Sequence, residues 1–148
     1  ISRFPVQIFL AGSGAHRIEG CFLGTNIAGT AAAVTGNSGL GTGIRPFGPG
    51  GYVIGGVTPA ARNLISGMFS AVNSFSSNNG IFIQGNLIGT DISGTQAIGH
   101  NGNAIESSGP LSNALIGGTD AVGKRVLHVV FSGKGSVGIY DLVVDHLC

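Results

Sequence analysis

Apolar residues along this chain come in short words, most of three to five residues, rich in Ile, Val and Leu. They fall at 6–10, 17–23, 43–45, 52–54, 63–66, 81–84, 86–88, 104–106, 114–116, 126–131 and 138–144, and Gly, Asn or Ser bounds most of them. β-branched words of this length suit a pleated, half-buried surface, and their flanks suit turns. No helical spacing competes, because Gly interrupts every window and Lys, Glu and Leu are sparse. The words are too short and too evenly punctuated for long antiparallel hairpins. The pattern predicts a chain that turns after each short strand and stacks it on a counterpart one coil later.

One phrase is written twice. Residues 18–32 read IEGCFLGTNIAGTAA and residues 83–97 read IQGNLIGTDISGTQA, identical at 8 of 15 positions without a gap. Downstream, VIGGVTPAARNLI (53–65) pairs with LIGGTDAVGKRVL (115–127), so the offset passes from 65 to 62. A repeat implies stacked units rather than one globular core. Repeated residues are then scaffold first, and chemistry is to be sought among the rest. A unit of 62–65 residues suits about three coils of roughly 20–25 residues. The whole chain, 1–148, therefore reads as one segment with units at about 18–82 and 83–148. Leucine-rich repeats are excluded by the missing Leu frame, and calcium-binding Gly-Asp nonapeptides by the absence of more than a fragment at 117–120.

Composition narrows the class. Gly is 28 of 148 residues, close to three times ordinary usage, without the strict period of collagen. A 43% hydrophobic fraction argues against disorder. The net charge is +1 and only Lys124 and Arg125 are adjacent cations, so no footprint for nucleic acid or anionic lipid exists. Mean hydropathy is +0.41, yet no run approaches 18 apolar residues, so no membrane span is expected. No signal peptide is visible. The chain starts at Ile1 without Met and stops at Cys148 in a strand-like pattern, as expected of a fragment or a processed chain. Two cysteines make no disulfide framework, and Cys21 occupies the slot that holds Asn86 in the second copy.

The six carboxylates are Glu19, Asp91, Glu106, Asp120, Asp141 and Asp145. Glu19 aligns with Gln84 and Asp91 with Asn26. A slot that accepts acid or amide is a turn-capping slot before it is a catalytic one. Asp120 follows Gly-Gly-Thr, again a turn. Asp141, Asp145 and His146 form a non-repeated polar cluster, but residues four apart on a strand lie about 13 Å apart, too far to share a metal. A solvated outer face is the expectation there. His16, His100 and His128 are read as surface or turn residues, and Phe69 and Phe75 as lumen fillers. The chain has no nucleophile elbow, zinc-binding His pair or phosphate loop. No catalytic, cofactor-binding or metal-ligating residue is assigned.

The phrase GNLIGTDISGTQAIGHNGNAI (85–105), with NLISG (63–67), GIFIQGN (80–86) and ALIGGTDA (114–121), resembles the right-handed parallel β-helix repeats of large bacterial secreted and surface proteins. The resemblance covers roughly residues 18–121 and implies an all-β, right-handed parallel β-helix of five or six coils cut from a longer array. It implies a non-catalytic structural or adhesive segment, secreted or at the cell surface. The partners it implies are a surface polysaccharide or neighbouring coils of the same protein. The alternative is the partial core of a polysaccharide lyase or glycoside hydrolase, whose basic and acidic groups would come from Lys124, Arg125, Lys134, Asp141 and Asp145. Two structural expectations follow. Ile18 and Ile83 should be equivalent inward positions, as should Ile54 and Ile116, with units displaced by roughly 14 Å. Asn26 and Asp91 should cap tight turns, with Gly29 and Gly94 where a Cβ is disfavoured.

Overall fold

The computed structural model of the chain describes residues 4–33, 41–74, 78–117 and 128–129. The strands are β1 (Val6–Ala11), β2 (His16–Ile18), β3 (Phe22–Leu23), β4 (Thr42–Phe47), β5 (Tyr52–Gly55), β6 (Leu64–Ile65), β7 (Ser70–Ser74), β8 (Asn78–Asn79), β9 (Ile81–Gln84), β10 (Leu87–Ile88), β11 (Ile105–Ser107), β12 (Leu111–Ser112), β13 (Leu115–Ile116) and β14 (His128–Val129). Three four-stranded sheets form, ordered β1-β4-β7-β11, β2-β5-β9-β13 and β3-β6-β10-β14, with β8 beside β12 at a corner. Every pairing between these strands is parallel. The fold is a parallel β-solenoid. Its only helix among the described residues is a 3₁₀ turn, Pro59–Ala61.

The chain passes each face four times among the described residues, which makes three complete turns rather than the five or six coils expected. Ile18 pairs with Ile54, Ile54 with Ile83 and Ile116 with Ile83. All four therefore stand in one ladder. The expected equivalences hold, but the repeat unit is two coils, displaced by roughly 10 Å at one strand spacing per coil. Single coils span 36, 29 and 33 residues along this ladder. They run longer than 20–25 because each carries a segment that leaves the coil. In the first and third coils a loop follows the third strand, closed by antiparallel bridges Thr25↔Ala32 and Thr90↔Ala97. In the second coil the excursion comes earlier, between β5 and β6, where Thr58 caps the 3₁₀ turn. Coils thus alternate in kind, and sequence similarity returns only at every second one. The later repeat also slips: Ile54 corresponds to Ile116, but Leu64 corresponds to His128 through Leu87, two residues beyond the gapless alignment.

The lumen is filled by ladders. Ile18, Ile54 and Ile83, then Leu23, Ile65 and Ile88, and Ile44 with Val72 are all buried in one cluster. Each such side chain contributes roughly 1.5–3 kcal/mol by leaving water. Tyr52 is also fully buried, and its hydroxyl lies within bonding distance of the carbonyls of Phe47 (2.9 Å) and Gly12 (3.1 Å).

The corner after the second sheet is held by side-chain amides. Asn63 and Asn86 are fully buried. Asn63 donates Nδ2 to the Ile18 carbonyl (2.8 Å) and accepts from the Cys21 N–H through Oδ1 (2.9 Å). Asn86 repeats this one coil on, donating to the Ile54 carbonyl (2.8 Å) and accepting from the Asn63 N–H (3.2 Å). Asn63 also donates to Asn86 Oδ1 at 2.9 Å. Each amide clips the corner of the coil before it, where strand hydrogen bonds lapse. Gly55 must be Gly here: its φ is +80°, and a Cβ would collide with the Gln84 carbonyl and the Asn86 amide.

Candidate functional site

The duplicated loops are built as the sequence requires. In the first, Asn26 Oδ1 accepts the Thr30 N–H at 2.9 Å. In the second, Asp91 Oδ1 accepts the N–H groups of Thr95 (3.1 Å) and Gln96 (3.2 Å), and the Ser93 hydroxyl donates to the same carboxylate at 2.7 Å. The Ser93 hydroxyl foremost, with these backbone donors, holds the Asp91 carboxyl below its ordinary value, while burial opposes them. Gly29 and Gly94 have φ of +69° and +75°. An oxygen acceptor is all the slot needs, which is why acid and amide exchange between copies. The loops lie over the outer side of the third sheet, where Leu64 and Leu87 are buried although they point away from the lumen cluster.

The other described carboxylates are equally committed. Glu19 pairs with Arg17 across an exposed corner. Glu106 accepts from Asn73 Nδ2 at 2.9 Å. Glu19, Asp91 and Glu106 belong to different faces, and among the described residues no three metal-ligating side chains gather. Asp120, Asp141, Asp145, His146, Lys124, Arg125 and Lys134 lie outside the described residues, as do Phe75 and Cys148.

Several sequence expectations fail on burial. His100 sits in an irregular stretch but is 5% exposed, not a surface residue. Burial pushes its pKa down to about 4, and the nearby carbonyls of Met68 and Ile65 offset this only in part. Neither ring nitrogen makes a well-formed hydrogen bond. His16 is in β2, half-buried and stacked on Tyr52 at 5.8 Å between ring centroids. His128 lies in β14, within the strand-like word 126–131. Phe69 is 41% exposed instead of filling the lumen, and its ring covers Gly102. Cys21 is half-buried and donates Sγ–H to the Glu19 carbonyl at 3.4 Å.

One surface was not foreseen. On the outer side of the first sheet, Phe9 pairs with Arg45 and Asn73 with Glu106, while Arg45 and Asn73 directly follow the paired residues Ile44 and Val72. One side chain per coil thus makes a row of ring, guanidinium, amide and carboxylate. Phe47 stacks on Phe9 with ring centroids 6.0 Å apart, and both rings are exposed. The Arg45 guanidinium reaches Thr42 Oγ1 at 3.4 Å. Sequence reasoning missed the row because 70–74, with Ser70, Asn73 and Ser74, does not read as an apolar strand. The signal available was its place between the paired words 43–45 and 104–106.

No family model matches the chain, and neither a curated protein nor a solved structure matches it.

Proposed function

We propose that this chain is a non-catalytic structural or adhesive segment of a secreted or cell-surface bacterial protein. The observation that carries this reading is the use made of the repeated residues. Ile18 and Ile83 fill the lumen, Gly29 and Gly94 shape the loops, and Asn26 and Asp91 close them. An adhesive role has support in the outer row: the exposed rings of Phe9 and Phe47 offer faces to the apolar side of a sugar, and the half-buried Glu106 carboxylate in the same row offers an acceptor to its hydroxyls. A surface polysaccharide is the partner proposed.

The test is incubation of the purified chain with pectin, alginate and related polyanions, with and without Ca²⁺. The expected result is no release of reducing or unsaturated ends. Cleavage by the wild type that is lost in a folded D141N/D145N variant would establish the lyase or hydrolase reading instead.

A further inference from the structure

The outer row of the first sheet carries its charges in a fixed order along the solenoid. Successive coils present Phe9, Arg45, Asn73 and Glu106, each roughly 4.8 Å from the next. Each directly follows a residue packed in or on the lumen cluster, namely Ile8, Ile44, Val72 and Ile105, so its side chain points outward. Phe47 lies on the same side of β4 as Arg45, two residues on, and its ring stacks on Phe9. Because these side chains stand away from the sheet, across the solenoid axis, a further coil at either end would extend the row rather than cover it.

The positions do different work. The Phe9 and Phe47 rings, 56% and 49% exposed, present broad apolar faces. The half-buried Arg45 guanidinium reaches Thr42 Oγ1 at 3.4 Å, and its planar fork matches a carboxylate. Asn73 is buried and donates to Glu106, so it fixes that carboxylate and meets no ligand itself. Glu106 stands two coils from Arg45, roughly 10 Å, beyond the reach of an ion pair. Cation and anion are thus held apart with a neutral position between them.

One strand spacing is close to the length of one pyranose in an extended glycan. A glycan laid along the solenoid axis therefore places about one sugar on each coil. A carboxylated sugar on Arg45 lies beside the two rings. The sugar two places further on meets Glu106, which accepts from a hydroxyl and repels a carboxylate.

We infer that this row binds an acidic glycan whose carboxylates stand more than two sugars apart, and selects against one that is acidic at every sugar. The inference rests on the adhesive reading above and names its ligand class.

Titration calorimetry of the purified chain tests this with three probes: gellan fragments, whose uronates are isolated, oligogalacturonate, which carries a uronate at every position, and cello-oligosaccharides, which carry none. Gellan fragments should bind tightest. R45Q should weaken them about tenfold and leave the neutral probe unchanged. E106Q should tighten oligogalacturonate about fivefold, the repulsion of two like charges about 4 Å apart in water. E106Q keeps an oxygen acceptor for Asn73, so it decides the matter even if R45Q fails to fold. F47A should weaken all three probes. Oligogalacturonate binding as tightly as gellan, E106Q without effect on it, or a folded R45Q that binds gellan like the wild type would overturn the selectivity. Equal binding of all three would do so while leaving the adhesive reading in place. Binding of none would remove the adhesive reading as well.

Discussion

Replacing Asn63 with Ala tests whether corner amides hold the coils in place. The side chain is fully buried and makes three hydrogen bonds, to the Ile18 carbonyl, the Cys21 N–H and Asn86 Oδ1. A hydrogen bond contributes about 0.5–1.5 kcal/mol net, and a buried backbone group left without a partner costs about 1–3 kcal/mol. Truncation strands the Ile18 carbonyl and the Cys21 N–H together, so the loss should be about 3–5 kcal/mol. That is a large share of the roughly 5–15 kcal/mol that holds a typical domain. Asn63→Asp should fare little better, because a carboxylate still accepts from Cys21 but cannot donate to Ile18, and it buries a charge. Asn86→Ala should cost a similar amount through Ile54 and the Asn63 N–H. The double variant should lose less than both losses together, since the two amides share a bond. Urea unfolding of all four variants measures this, with m unchanged if the native coil persists. A loss below about 1 kcal/mol for Asn63→Ala would mean that water or a local shift replaces the amide, and the clip would be no more than a buried polar contact.

Two further outcomes follow from the titrating groups. His100 is neutral when folded until pH falls to about 4 but takes up a proton near 6.5 when unfolded, so stability should decline by about 3 kcal/mol between those values and level off below; His100→Leu should flatten that limb of a pH series of urea midpoints, and an unchanged limb would refute the assignment. Asp91→Asn should leave the neutral-pH thermal midpoint within error, because Asn26 already does this work, and should remove the stability that the lowered carboxyl otherwise loses as pH falls below 3.8; a clear destabilisation at pH 7 would show that the charge matters.

The ladders were legible because stacking forces like onto like: Ile18 and Ile83 had to share an environment if the repeat was real. The loop caps were legible for the same reason, since Asn26 and Asp91 offer the same oxygen to the same turn. The coil count was not. Residues 25–32 and 57–62 resemble neither a strand nor a boundary, yet they leave the coil and lengthen it. Strand β7 was hidden because its polar side chains pair with those of neighbouring coils: Ser70 bonds Thr42 at 3.2 Å and Asn73 bonds Glu106. His100 was misplaced because a residue beside Asn-Gly in a loop can still turn inward when coils above and below enclose it. The outer row escaped because its members sit at unrelated sequence positions, joined only by register.

The alternation of coil types bears on how such a chain can lengthen or shorten through recombination. Removing one coil, for example the 29 residues 54–82, would set the third coil directly on the first. The 90–97 loop would then stand roughly 5 Å from the 25–32 loop instead of roughly 10 Å. Ile92 would no longer donate its N–H to the Gly29 carbonyl, and two excursions shaped to lie over an intervening coil would compete for one place. Adding a pair keeps such loops two coils apart. Viable length variants of this chain should therefore differ by about 62–65 residues at a step, and a lineage that changed by single coils would have had to rebuild both loops at once.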